Sequence, residues 1–284
     1  MDWTVSPEIF RIGAFPIRWY SLMFILSFTL GYAIIKRILQ WEHKAESDLE
    51  DLFLYMFIAT IAGARLGHCL FYDPGYYLAN PLEIIMIHHG GLASHGAAVG
   101  ILTALYLYAK KRPDQSFLWT VDRIVIVVAL SGFFIRMGNL FNSEIVGKPT
   151  DVPWAFRFPF YEANPVPRHP TQLYEAIAYL VVFAILFWYY RSRQDRVNQG
   201  FLLGLFLVLV FGFRFLVEFL KENQEAWEAA LTLNMGQLLS IPFVLIGVWL
   251  ILQAPKRGPL LKADTPPKPG KVDPRKAGRK RRKA

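Results

Sequence analysis

The sequence predicts an all-α polytopic membrane protein of about seven transmembrane helices, with a small external cap, its N-terminus outside and its C-terminus cytoplasmic. Three observations predict it. Hydrophobic residues make up 54% of the 284 residues, above the roughly 45–50% usual for soluble domains. The excess falls in seven blocks, 19–35, 51–72, 92–109, 118–136, 173–190, 200–220 and 235–253, most of them near the length of a bilayer-crossing helix. The basic residues are divided unequally between alternate connections.

That division sets the orientation. Connections 36–50, 110–117 and 191–199 hold nine Lys/Arg, and residues 255–284 hold twelve more. The alternate connections hold six: Arg11, Arg18, Lys148, Arg157, Arg168 and Lys221. The richer set belongs in the cytoplasm.

The N-terminus carries Asp2 and Glu8 and no basic leader, so the first block is expected to persist. That block opens on Trp19 and Tyr20, which suit an interfacial aromatic belt. The second block contains Gly63-Ala-Arg65-Leu-Gly67, whose small residues let helices approach closely. Arg65 reads equally as a structural or a ligand-binding residue. Cys69, the single cysteine, reads as a small buried apolar residue. Asp73-Pro-Gly-Tyr76 and Asn80-Pro81 mark turns, and Pro81 to His89 reads as a short re-entrant or interfacial helix. His88, His89 and His95 cluster before the third block, but their spacing matches no common zinc pattern.

In the fourth block Arg123 follows Asp122 and reads as a snorkelling interfacial residue. The external segment 138–172 is rich in proline and aromatics and reads as a compact irregular cap, with Pro170 as the first helical residue of the fifth block. Residues 1–254 then form one membrane domain, and 255–284 a disordered basic tail. The chain's net charge is +9. The tail carries +10 and the rest −1, so the tail reads as a topology signal and a partner for anionic lipid headgroups. Nucleic-acid binding is the other reading of such a tail and is not adopted.

The charges inside the blocks carry the chemistry. An arginine at a helix centre costs about 2.5–3.5 kcal/mol on insertion scales, so Arg136 calls for an anion, and in a membrane the commonest is a lipid phosphate. Asn139, Asn142 and Glu144 follow it closely. Arg214 and Glu218 stand four residues apart on one helix face. By orientation Arg136, Arg214 and His95 lie toward the external side, where two guanidiniums form a phosphate clamp and a histidine serves as base or hydrogen-bond donor. A phospholipid or anion transporter is the rival reading, although no pair of interrupted inverted repeats is evident.

The segment Arg136-Met-Gly138-Asn139-Leu-Phe-Asn142-Ser-Glu144-Ile-Val-Gly147 resembles the signature of bacterial phosphatidylglycerol–prolipoprotein diacylglyceryl transferases. It departs from that signature at Ile135, where glycine is usual, and at Leu140, which replaces phenylalanine. Arg18-Trp-Tyr20, Gly63 to Gly67, His95-Gly96, Arg168-His-Pro-Thr-Gln-Leu-Tyr-Glu175, Arg214-Phe-Leu-Val-Glu218 and Asn234 to Ser240 resemble family motifs in the same order, over about 16–253. His95 is followed by one glycine where two are usual, and Glu-Asn-Gln-Glu after Lys221 departs from the family's ending.

The resemblance implies transfer of a diacylglyceryl group from phosphatidylglycerol to the lipobox cysteine of prolipoproteins, releasing glycerol 1-phosphate. This is the first step of lipoprotein maturation, at the external side of the bacterial inner membrane. It implies His95, Arg136 and Arg214 as catalytic residues, and Tyr20, Arg136, Asn139, Glu144, Arg214 and Glu218 as residues binding the lipid. It implies the prolipoprotein signal peptide as partner, and no metal or organic cofactor.

Overall fold

The computed structural model describes residues 1–260 apart from Ala14, His88, His89 and 223–231. Helices dominate: α1 (Trp19–Trp41), α2 (Glu46–Phe71), α3 (Pro74–Ala79), α4 (Ser94–Lys111), α5 (Phe117–Phe141), α6 (Thr171–Arg193), α7 (Phe201–Val217) and α8 (Met235–Arg257). Among the described residues, six are long and apolar enough to cross a membrane: α1, α2, α5, α6 (with the turn to Arg196), α7 (with the turn to Leu220) and α8. The chain is therefore a multi-pass membrane protein. The seventh expected block is α4, whose polar ends leave it less apolar than the others.

Large apolar side chains such as Phe57, Ile58, Leu66, Trp188, Leu245 and Trp249 face outward, while Glu42, Asp122, Arg123, Glu175 and Lys221 are buried. That inversion suits a chain whose surroundings are hydrocarbon. Helix α5 is the hub and packs on α1, α4, α6 and α7. Helices α7 and α8 pair closely, as do α2 and α4.

The α2–α4 seam is made of glycine. A Cβ on Gly63 would lie 2.6 Å from the Gly96 carbonyl oxygen, and one on Gly96 would lie 2.6 Å from the Gly67 Cα. Backbones this close allow no methyl group between them. Gly96→Val is therefore expected to cost about 1–3 kcal/mol by overpacking, read as a lower unfolding temperature in detergent.

Several expectations change. The all-α reading misses a two-stranded antiparallel hairpin, β1 (Glu8–Ile12) and β2 (Phe15–Arg18). Its signal was present: aromatic and β-branched residues flank Gly13, which turns the chain at φ +60°. Asp73-Pro-Gly-Tyr76 is not a bare turn, because the Asp73 carboxylate accepts from the Tyr76 N–H at 3.3 Å and starts α3. Pro81–Ile85 is a 3₁₀ turn; the expected helix to His89 ends outside the described residues. Pro170 is the N-cap of α6, not its first helical residue. Helix α8 continues past residue 254, and Gln199 N–H donates to the Gly258 carbonyl at 3.0 Å. The tail beyond 260 lies outside the described residues.

Arg123 does not snorkel. Its side chain is 2% exposed and pairs with Glu42 at 2.9 Å, while Tyr190 donates to the same carboxylate at 2.7 Å. Asp122, its neighbour in sequence, points elsewhere and accepts from Gly200 and Leu203 N–H at 2.7 and 2.8 Å, capping α7. Adjacent helical residues diverge by about 100°, so this buried pair bolts α1, α5 and α6 together.

Arg65 is also resolved. Its guanidinium donates to five carbonyls, those of Glu83, Ile84, Met86, Gly90 and Gly91. It organises the α3–α4 connection, and every direction of its donor fork is occupied.

The segment between α5 and α6 is irregular. Its apolar centre is Leu140, Val146 and Phe158, with Trp3, Met137 and Phe156 packed around it. The first residues of the chain complete it: Met1 N–H donates to Ala155 O at 2.9 Å and Trp3 N–H to Arg157 O at 2.8 Å. Arg168 closes it by binding Glu162 at 2.8 Å and Glu222 at 2.6 Å. Hydrogen bonding from Arg168 holds the Glu162 carboxyl below the usual carboxylate range, and that bond in turn raises Arg168.

Candidate active site

The last two turns of α5 deliver Arg136 and Asn139, and the loop beyond delivers Glu144. Arg136 Nη1 donates to Asn139 Oδ1 at 3.1 Å, and Asn139 Nδ2 to Glu144 Oε2 at 3.3 Å. Asn142 Nδ2 meets the other Glu144 oxygen at 2.7 Å. Around Glu144 the backbone is strained, with Ser143 and Ile145 both left-handed at φ 55° and 57°. That region costs a β-branched residue of order 1–3 kcal/mol, so something must hold it.

Helix α6 does so with its first turn. Thr171 Oγ1 donates to Ile145 O at 3.0 Å and Gln172 Nε2 to Glu144 O at 2.6 Å. Gly147 N–H donates to His169 O at 3.0 Å, so close that a Cβ there would sit 2.5 Å from the same oxygen. Tyr20, at the start of α1, packs its ring on Gly138, where a Cβ would lie 2.6 Å from the ring. Its phenol sits within electrostatic reach of Glu144 and Arg136. The two glycines of the segment are therefore contact surfaces, and the polar residues from Arg168 to Glu175 largely serve to clamp it.

The second arginine is tied to the first by alternating charges. Arg136 Nε lies 3.0 Å from Glu175 Oε2, and that oxygen lies 3.6 Å from Lys221 Nζ. Lys221 donates to Glu218 Oε1 at 2.9 Å, and the same oxygen lies 3.6 Å from Arg214 Nε. Asn234 Nδ2, at the start of α8, holds the other Glu218 oxygen at 3.2 Å. Glu175 is fully buried, Lys221 is 2% exposed, and Arg214 opens outward at 33%. Three cations face two carboxylates, leaving a surplus of one positive charge. Such a surplus in a confined site attracts negative charge.

Six of the expected site residues thus come together: Tyr20, Arg136, Asn139 and Glu144 in one cluster, Arg214 and Glu218 in a second. The bridge between them, Glu175 and Lys221, was not assigned a role from sequence. Glu175 closed the motif that runs from Arg168, which was its signal; Lys221 read as a connection charge. His95 stands apart, in the first turn of α4, exposed, its ring against Phe71 and Tyr72 at 5.5 and 5.8 Å. It makes no hydrogen bond or ion pair among the described residues. No group of His, Cys, Asp or Glu among the described residues is arranged to hold a metal ion, and His88 and His89 lie outside them.

A family model described as prolipoprotein diacylglyceryl transferase matches residues 7–253. A protein of Chloroherpeton thalassium is 50% identical over 260 residues, covering 92% of this chain and 96% of the relative. One of Tolumonas auensis is 44% identical over 254 residues, covering 89% and 97%. One of Porphyromonas gingivalis is 48% identical over 271 residues, covering 90% and 95%. All three are named phosphatidylglycerol–prolipoprotein diacylglyceryl transferase. With most of its length matched at this identity, the chain belongs to the prolipoprotein diacylglyceryl transferase family.

Proposed function

We propose that this chain transfers the diacylglyceryl group of phosphatidylglycerol to the thiol of a prolipoprotein's lipobox cysteine, the first step of lipoprotein maturation. The observation that carries the chemistry is the chain Arg136–Glu175–Lys221–Glu218–Arg214 with its one surplus positive charge. A phosphodiester brings one negative charge to it. As the reaction proceeds, the sulfur attacks the glyceryl carbon bearing the phosphate ester. The S–C bond forms, the C–O bond breaks, and the electron pair leaves on the phosphate oxygen as glycerol 1-phosphate departs. Negative charge grows on the phosphate, and Arg136 and Arg214 are already oriented to stabilise it.

Each remaining residue has a role in this reading. Asn139 and Glu144 order the headgroup and hold Arg136, Glu218 orients Arg214, and Tyr20 bonds a phosphate or glycerol oxygen. The thiolate is the nucleophile, and His95 takes its proton, since no hydrogen bond among the described residues occupies its ring. Helix α4 is the seventh span. At 18 residues it is about 27 Å long, close to the thickness of the hydrocarbon core. The hairpin and cap face outward and the ends rich in Lys and Arg face the cytoplasm of a bacterial inner membrane. The membrane domain extends to about residue 260, followed by the basic tail.

Mass spectrometry tests the reading: a lipobox peptide incubated with the purified protein and phosphatidylglycerol gains the mass of a diacylglyceryl group. An unchanged peptide with lipid moved between leaflets supports a transporter instead. Truncation after Leu260 is expected to leave transfer within about twofold of the full chain, because every residue given a role in the reaction lies before it and the basic tail serves to attract anionic headgroups. The cut belongs there because Gly258 still accepts from Gln199. Loss of activity in an inserted truncation overturns that assignment.

A further inference from the structure

Tyr179 stands one turn beyond Glu175 on α6 and is 7% exposed. We propose that Tyr179 is a positioning residue of the reaction, its hydroxyl holding the Glu175 carboxylate at the angle that aims Arg136; the inference rests on the transferase reading.

The register of two helices brings the parts together. Glu175 and Tyr179 are four residues apart on α6, and Gly132 and Arg136 are four apart on α5, so each pair shares a helix face. The pairs meet across the α5–α6 contact. Arg136 Nε stands 3.0 Å from Glu175 Oε2, and one turn away the Tyr179 ring lies on Gly132. A Cβ at Gly132 would sit 2.7 Å from Tyr179 Cδ2 and 3.3 Å from its Cγ. The ring therefore fills the space of a side chain, and that seat fixes where the phenol oxygen can be.

The Glu175 carboxylate needs such a donor. It is fully buried, and its two oxygens are divided between partners. Oε2 faces Arg136 and Lys221 at 3.0 and 3.6 Å, and Oε1 accepts from the Tyr179 hydroxyl at 3.4 Å. Buried charge without a partner on each side is costly, so loss of the hydroxyl lets both oxygens turn toward the cations. The Arg136 fork then turns with them. The same hydroxyl lies within hydrogen-bonding reach of Arg136 and electrostatic reach of Arg214. A phenol can accept from a guanidinium while donating its proton to a carboxylate. Being neutral, it sets direction without changing the surplus of one positive charge.

The test is Tyr179→Phe, which keeps the ring on Gly132 and removes only the hydroxyl. It should lower kcat for thioether formation about tenfold and leave KM for phosphatidylglycerol within about twofold, because a misaimed donor is felt most where charge develops. In Arg136→Lys, which lacks the fork, the same substitution should cost less than about twofold, the mark of two residues acting as one unit. Infrared difference spectra give a readout apart from turnover: Tyr179→Phe should shift the buried carboxylate stretch that Glu175→Gln removes. A kcat within about twofold of wild type, whatever the unfolding temperature, overturns the positioning role. So does an equal loss of kcat in Arg136→Lys. If wild type forms no thioether, the transferase reading fails instead. The tie between Tyr179 and Glu175 is then supported by a shifted infrared band and overturned by an unchanged one.

Discussion

Arg136→Ala is expected to lower thioether formation from phosphatidylglycerol by at least about 10³-fold while the protein still inserts and can be purified. Removing one preorganised donor to a developing oxyanion typically costs 10²–10³, and arginines on phosphoryl groups reach higher. Here the loss is compounded. Without Arg136 the network falls from a surplus of one positive charge to neutrality, Asn139 loses the group it holds, and Glu175 keeps only the Tyr179 hydroxyl at 3.4 Å and Lys221 at 3.6 Å. Arg136→Lys should recover part of the rate, since the charge returns without the fork that reaches Glu175 and Asn139 together. A purified Arg136→Ala protein turning over at the wild-type rate would sink the proposed reaction centre.

The second large effect is expected at Lys221. Its ammonium lies between Glu218 and Glu175, and its backbone pairs with Gly147 at the end of the Arg136 segment. Lys221→Met leaves two buried carboxylates facing each other with one fewer cation. Breaking a buried ionic contact in this way costs about 3–5 kcal/mol, and the network's surplus charge disappears with it. The expected outcome is a fall of about 10²-fold or more in kcat/KM, together with a lower unfolding temperature. Lys221→Arg separates charge from bulk, because it restores the cation within reach of both carboxylates. Its activity should return to within about tenfold of wild type. A Lys221→Met protein that loses stability but keeps kcat would assign the lysine to scaffolding alone.

The helices were legible because the chain must satisfy every backbone group inside a bilayer, and that demand writes long apolar blocks into a sequence. Arg214 and Glu218 were legible because four residues make one turn. What escaped were relations between distant residues. Nothing local to Lys221 announces Glu175, and nothing local to Glu42 announces Arg123. Arg123 read as a snorkelling interfacial residue because nothing beside it shows that its partner stands at the end of α1. The hairpin was overlooked because strands of five and four residues leave little pattern beside blocks of twenty.

The Glu42–Arg123 pair also has a history within each molecule's synthesis. Its members are 81 residues apart, so the carboxylate at the end of α1 is made, and α1 enters the membrane, long before its guanidinium exists. Helices α2 and α4 meet along their glycine seam and α1 touches α2 through Phe28 and Tyr32, but the main partner of α1, helix α5, comes later in the chain. In the interval Glu42 stands at a membrane boundary without the guanidinium that later pairs with it, and water must solvate it. The locking of this bundle is therefore timed by translation: the ribosome must reach the middle of the chain before the first helix can be fixed in place.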